Sequence, residues 1–97
     1  MPAKEFLESL DKRDRTKLVR LFDRMRQKGE IKNPEKFKKL KGCNQLYEFK
    51  SKPFRILTFR KGYTWFLTNG FKKDDDETPR EEIKRGVDIM QEHLSRS

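Results

Sequence analysis

The chain has 97 residues, of which 32% are hydrophobic and 42% charged, and its formal net charge is +9. This length favours a single domain spanning residues 1–97 with a thin core, and an aromatic content of 11% argues against disorder. The positive charge indicates an anionic partner, such as nucleic acid, an acidic protein or an anionic surface. With one cysteine, Cys43, no internal disulfide can form, and no Cys/His set has zinc spacing.

The N-terminus has no apolar segment typical of a signal peptide, and no apolar run reaches 18 residues. We therefore predict a cytoplasmic protein that neither crosses nor binds a membrane. No cluster of potential metal ligands and no cofactor motif is recognisable, so we expect neither a metal nor a small-molecule cofactor.

The first third of the chain is predicted to be helical. Apolar residues recur at spacings of three and four through residues 1–29, interrupted where Asp11 can cap a second helix. Gly29 is a suitable residue to end that helix. The Asn33-Pro34 pair then predicts a short connecting helix that continues through Lys39.

Three runs rich in aromatic and β-branched residues predict strands, namely Gln45–Lys50, Phe54–Arg60 and Tyr63–Phe71. Turn residues separate them, so an antiparallel meander is the simplest arrangement. The third run is almost continuously apolar, which favours a central strand or one covered on both faces.

The last part of the chain is predicted to be an amphipathic helix. An acidic loop, Asp74–Glu77, precedes a capping box at Thr78–Glu81. Apolar residues then recur at helical spacing from Ile83 to Leu94, so one stripe can pack on the sheet. The predicted fold class is α+β: an N-terminal helical hairpin, a small twisted antiparallel meander of three to four strands, and a C-terminal helix packed on the sheet.

Short motifs add a family resemblance. The runs Lys39–Gly42, Leu46–Lys50 and Phe54–Ile56 resemble the K-L-x-G, L-Y/W-E-L-R and Y-R-I pattern of the RelE/ParE toxin superfamily. Gly70–Lys73 followed by Thr78–Ile83 looks like the G-F-x-K-K and T-P-x-x-E-I pattern of its HigB-like, phage-derived branch. The resemblance implies a RelE-like fold.

The resemblance covers roughly residues 5 to 94 and also implies a function. It implies the toxin of a type II toxin–antitoxin system, a ribosome-dependent mRNA endonuclease that inhibits translation. In that reaction the 2′-hydroxyl attacks the adjacent phosphate without a metal. The implied partners are a cognate antitoxin with a helix-turn-helix, the ribosome and mRNA. Two alternatives stay open: a ParE-like inhibitor of gyrase, and a basic nucleic-acid-binding module without catalysis.

Arg55 is the first candidate for a phosphate clamp. It matches the arginine of the Y-R-I motif, and a guanidinium offers a planar fork that suits phosphate oxygens. Strand alternation places it on the face opposite Phe54 and Ile56. The alternative interpretation is a structural cation that pairs with Glu48.

Seven further residues complete the predicted site. Lys73 matches a lysine of the family's K-K pair, Lys72 stands just before it, and His93 lies where several relatives carry a histidine. The predicted catalytic residues are thus Arg55, Lys72, Lys73 and His93, and the predicted RNA-binding residues are Lys50, Arg60, Lys61 and Tyr63. For the lysines and His93 the alternative is an ordinary surface position.

The chain departs from the branch pattern at two places. Thr68-Asn69 stand where relatives often have Leu-His, and Asp74 stands where the second lysine of the K-K pair would fall.

Overall fold

The chain folds into three helices and one antiparallel sheet within the ranges that the structure, a computed structural model, describes: residues 1–42, 45–75 and 77–96. Cys43 and Asp76 lie outside the described residues. The elements in chain order are α1 (Pro2–Ser9), α2 (Lys12–Lys28), β1 (Phe37–Lys39), β2 (Leu46–Ser51), β3 (Phe54–Lys61), β4 (Thr64–Lys72) and α3 (Arg80–Arg96). No helix in these ranges is long and apolar enough to cross a membrane.

Each strand of the sheet pairs with its neighbour in sequence, in the order β1-β2-β3-β4. The register between β3 and β4 runs from Phe54 opposite Lys72 to Lys61 opposite Thr64. Gly62 makes the tight connection between these strands with φ of 63°, a left-handed conformation that glycine adopts without a Cβ clash. We call residues 60–65 the hairpin end of the sheet.

The sheet lies between two helical layers. On one face α1 packs on β4 and α2 on β2, and on the other face α3 packs across β2, β3 and β4. The buried apolar residues of the first layer are Leu18, Met25, Ile31, Phe49 and Ile56. Those of the second are Leu40, Leu46, Leu57, Phe59, Phe71 and Met90. The predicted α+β class is therefore confirmed.

The boundaries of α2 follow the predicted signals. Asp11 occupies the N-cap position, where its carbonyl accepts from the Arg15 N–H at 2.9 Å, although its side chain makes no capping hydrogen bond. At the other end Gly29 has φ of 75° and donates its N–H to the Met25 carbonyl at 2.8 Å. A glycine at this position ends a helix because it tolerates the left-handed conformation.

The short helix predicted from Asn33 through Lys39 is wrong. Asn33 does start a turn, because its side-chain Oδ1 accepts from the Glu35 N–H at 2.9 Å and its carbonyl accepts from the Phe37 N–H at 3.0 Å. After that one turn the chain becomes β1, since the Phe37 ring stacks on Tyr47 with a centroid distance of 5.5 Å. Packing between strands overrides the local helix signal.

Strand β4 lies at the edge of the sheet, not at its centre, yet both of its faces are covered. Phe6 of α1 lies against Gly70 on one face, and the Asn69 side chain reaches α3 on the other. Its continuous apolar sequence therefore reflects burial on two faces, as one of the two predicted arrangements requires.

The capping box predicted at Thr78–Glu81 does not form. Helix α3 begins at Arg80, and the Pro79 carbonyl accepts from the N–H groups of Glu82 and Ile83, both at 3.1 Å. The Thr78 hydroxyl donates instead to Glu48 Oε2 at 3.2 Å. The hydroxyl is oriented as a donor to the buried carboxylate, because a hydrogen bond to an ionised acceptor is stronger than one between neutral groups.

Candidate nucleic-acid interface

The sheet register separates the predicted site residues into two groups. Lys50 pairs with Arg55, and Phe54 pairs with Lys72, so Lys50, Arg55, Lys72 and Lys73 belong to one end. Arg60, Lys61 and Tyr63 belong to the hairpin end. At about 3.3 Å per residue, the two ends of β3 lie roughly 20 Å apart. One phosphate cannot contact both groups.

Arg55 lies inside the fold. Its Nη1 is 3.2 Å from Glu48 Oε1, both side chains are fully buried, and its Nη2 donates to the Asp75 carbonyl. Lys50 is also buried on this face of the sheet. The Asp75 carbonyl and the Thr78 hydroxyl thus contact a buried ion pair. This is the geometry of the structural interpretation, and a catalytic role for Arg55 stays a prediction that requires these two residues to move.

Lys72 does not share a face of the sheet with Arg55. Arg55 pairs with the buried Phe71, whereas the exposed Lys72 follows it and projects from the opposite face. The Lys73 backbone N–H donates to the Pro53 carbonyl at 2.8 Å, and its Nζ lies 3.7 Å from Asp75 Oδ2. Part of the acidic loop therefore interacts with the cations that precede it.

At the hairpin end, by contrast, the predicted residues are open to solvent. The Tyr63 side chain is 95% exposed, and Arg60 and Lys61 are exposed beside it. The Arg60 Cζ lies 5.8 Å from the Tyr63 ring centroid and 5.9 Å from that of Trp65. Arg60 Nε donates to the Gly62 carbonyl at 2.7 Å, which orients the guanidinium. A cation is thus held between two aromatic rings.

His93 reaches the same end from α3. Its ring centroid lies 4.3 Å from that of Phe66 and 5.7 Å from that of Phe59, two rings paired across β3 and β4 next to Arg60. The residue remains exposed in the last turns of α3. An imidazole can accept and donate a proton. Phe59 and Phe66 belong to the α3 side of the sheet, whereas Arg60 pairs with Trp65 on the α2 side, so His93 and Arg60 approach this end from opposite faces.

Two open clefts meet at Arg60. The larger, which we call the α2 cleft, has a volume of about 570 Å³ and is lined by Phe22, Met25, Arg26, Gly29, Phe49, Arg60, Tyr63, Thr64, Trp65 and Leu67. The smaller, the α3 cleft, has about 310 Å³ and is lined by Gln45, Tyr47, Phe59, Arg60, Gly62, Met90 and Leu94. Exposed rings with interleaved cations match what single-stranded nucleic acid needs, since bases stack on rings and phosphates bind cations.

The sequence reasoning missed some members of this surface. Arg26 and Phe22 line the α2 cleft from α2, and neither was among the predicted site residues. The available signal for Arg26 was its position three residues before Gly29, which places it in the last turn of the helix.

No group of three or more His, Cys, Asp or Glu side chains gathers as a potential metal site within the described ranges.

The departure at Thr68-Asn69 has a structural role. Both residues are fully buried beside a register shift between β3 and β4. Asn69 Nδ2 donates to the carbonyl of Glu82 at 3.2 Å and to its Oε1 at 3.1 Å. These side chains attach α3 to the sheet.

Comparison with known protein families identifies the family of this chain. Residues 5–91 match the family described as phage-derived protein Gp49-like (DUF891), a family of RelE-like toxins. A comparison with curated proteins found no match. Membership in this family is consistent with the toxin of a toxin–antitoxin pair and suggests an antitoxin as a partner. Because the match spans most of its length, this chain belongs to the phage-derived Gp49-like family.

Proposed function

We propose that this protein is the toxin of a type II toxin–antitoxin system, of the HigB-like branch, and that it cleaves mRNA on the ribosome. Family membership over residues 5–91 supports the toxin role. The observation that carries the RNA target is the hairpin end, where the Arg60 guanidinium lies 5.8 Å from the Tyr63 ring centroid and 5.9 Å from that of Trp65.

Each residue at the hairpin end has a role in this proposal. Tyr63 stacks on a base, and the guanidinium of Arg60, with Lys61 beside it, binds the scissile phosphate. These cations stabilise the additional negative charge that develops on the phosphate in the transition state. Lys72 and Lys73, about 20 Å away, contact other phosphates of the same strand.

The proposed reaction exchanges one phosphate ester for another. The 2′-oxygen forms a bond to phosphorus, and the bond from phosphorus to the 5′-oxygen of the next nucleotide breaks. For His93 to take the proton of the 2′-hydroxyl and return a proton to the leaving 5′-oxygen, the RNA has to wrap around the hairpin end, because His93 lies on the α3 face and Arg60 on the other. The products are a 2′,3′-cyclic phosphate and a 5′-hydroxyl, with no net gain or loss of protons.

Single substitutions at the hairpin end test this proposal. In a translation system of purified components, Arg60→Ala is expected to lower the single-turnover cleavage rate of mRNA by about 10²- to 10³-fold. His93→Gln, which keeps a polar planar side chain beside Phe66, is expected to lower it by about 10²- to 10⁴-fold. The matched control is Arg85→Ala, which removes one exposed cation from α3 and is expected to leave the rate unchanged.

The products and a second target decide between the proposal and its alternatives. Cut fragments with cyclic phosphate ends support it. Intact mRNA together with poisoned DNA supercoiling by gyrase would instead select the ParE-like function. RNA binding by the wild-type protein without any cut product would select a non-catalytic module.

A further inference from the structure

We propose that a second surface of this protein, separate from the hairpin end, binds the phosphate backbone of RNA. This surface is an open cleft of about 500 Å³ between β1 and the start of α3. We call it the β1–α3 cleft, and it is lined by Lys38, Lys39, Leu40, Lys41, Glu77, Thr78, Arg80 and Ile83.

The charges around the β1–α3 cleft favour an anionic ligand. Four of its lining side chains are cations and one is a carboxylate. Lys39 and Lys41 stand on the β1 side, Arg80 stands on the α3 side, and all three are exposed. Cations from two separate elements therefore face one space, where their potentials add.

The cations of the cleft favour RNA over a protein ligand, because its two apolar lining residues belong to the core. Leu40 is buried in the core beneath α3, and Ile83 packs against the same core. A protein partner binds mainly through large apolar or aromatic side chains that enter pockets on the opposing surface. The exposed side chains around this cleft are mainly cations, which match a sugar–phosphate backbone, whose contacts are made largely by Lys and Arg.

The position of the cleft also defines a path for the strand. β1 is two strands away from β3, a separation of about 10 Å within the sheet. Lys39 pairs with Tyr47 near the start of β2, and Tyr47 also lines the α3 cleft beside Arg60. An RNA bound at both places therefore crosses the sheet from β3 toward β1, instead of following β4 toward Lys72.

A triple variant, Lys39→Gln/Lys41→Gln/Arg80→Gln, tests this inference by equilibrium binding. Its matched control is Lys12→Gln/Lys17→Gln/Arg20→Gln, which removes the same charge from exposed positions of α2 on the opposite side of the sheet. Binding is measured over a range of salt concentrations, to a single-stranded RNA oligonucleotide in one arm and to ribosomes in the other. Circular dichroism establishes that both variants fold.

The cleft variant is expected to bind on the order of tenfold more weakly than the control, and its slope of log K against log salt is expected to fall by about two units. A loss in both arms shows that a single strand such as mRNA occupies the cleft. A loss on ribosomes alone assigns the cleft to ribosomal RNA. Affinity and slope equal to those of the control in both arms would overturn the inference.

This inference concerns binding and not cleavage, so it stands apart from the proposed function. A wild-type protein that binds RNA without cutting it would refute the endonuclease proposal and leave the β1–α3 cleft intact as a binding site. If the protein cleaves mRNA while the cleft variant binds RNA as tightly as the control does, the endonuclease proposal stands and the inference about the β1–α3 cleft is refuted.

Discussion

Replacing Arg55 with alanine is expected to lower the free energy of unfolding by about 3–5 kcal/mol, because it leaves the buried carboxylate of Glu48 without its guanidinium partner. The same change removes the donor to the Asp75 carbonyl and so loosens the segment that covers the pair. Urea denaturation followed by circular dichroism measures the loss. Arg85→Ala, which removes an exposed arginine from α3, is the control and is expected to leave stability unchanged.

A double substitution separates the loss of the pair from the loss of a charge. In Glu48→Gln/Arg55→Gln both charges are absent, and the amide oxygen that replaces the carboxylate on β2 can still accept from the Thr78 hydroxyl. We expect this variant to recover most of the stability that Arg55→Ala loses, since replacing both partners of a buried pair costs less than removing one. A loss below about 1 kcal/mol for Arg55→Ala would contradict the structural role.

The double variant also decides the catalytic role of Arg55. If Arg55 only supports the fold, a stable double variant cleaves mRNA at the wild-type rate. If its guanidinium clamps the phosphate after Asp75 and Thr78 move away, the same stable variant loses cleavage. Arg55→Ala alone cannot make this distinction, because an unfolded protein is inactive for either reason.

The second large effect is expected at Gly70, where β4 passes beneath α1. A Cβ placed on this residue would lie 2.2 Å from Phe6 Cδ2 and 2.5 Å from Phe6 Cγ, well inside van der Waals contact. Gly70→Ala must therefore displace the Phe6 ring from its position beside Phe54. We expect a loss of about 1–3 kcal/mol, together with faster hydrogen exchange of the α1 amides.

A double-mutant cycle tests whether the clash with Phe6 causes that loss. In Phe6→Ala the ring is absent, so adding Gly70→Ala is expected to cost little further stability. The sum of the two single losses in free energy of unfolding should then exceed the loss of the double variant by at least about 1 kcal/mol. Additive losses would mean that Gly70 is needed for a reason other than the space it leaves for the ring.

Much of the fold could be predicted from the sequence because its signals are local. Gly29 and the apolar periodicity placed the helices, and the turn residues separated three of the four strands. The errors occur where contacts with residues distant in sequence determine the local structure. Phe37 joins the sheet because of the rings of Tyr47 and Trp65, and Thr78 turns from α3 to a carboxylate on β2.

The site was less predictable because sequence motifs carry no information on burial. Strand alternation placed Arg55 opposite Phe54 and Ile56, but that face is also covered, by α3 and the segment before it. The exposed candidate site lies at the hairpin end, where the β3–β4 turn meets the C-terminal ends of α2 and α3. Neither the α2 cleft nor the β1–α3 cleft follows from one run of sequence, because each combines elements more than thirty residues apart.

The neighbour-to-neighbour order of the strands has a consequence for how the chain folds. Pairing β3 with β4 closes only a short loop at Gly62, so it loses little chain entropy and can happen early. Phe6 meets Gly70 only after more than sixty intervening residues have been brought into place. Substitutions in the β3–β4 pair should therefore slow folding, whereas truncation of Phe6 should mainly speed unfolding, as stopped-flow kinetics would measure. We therefore expect α1 to join the native structure after the β3–β4 pair has formed.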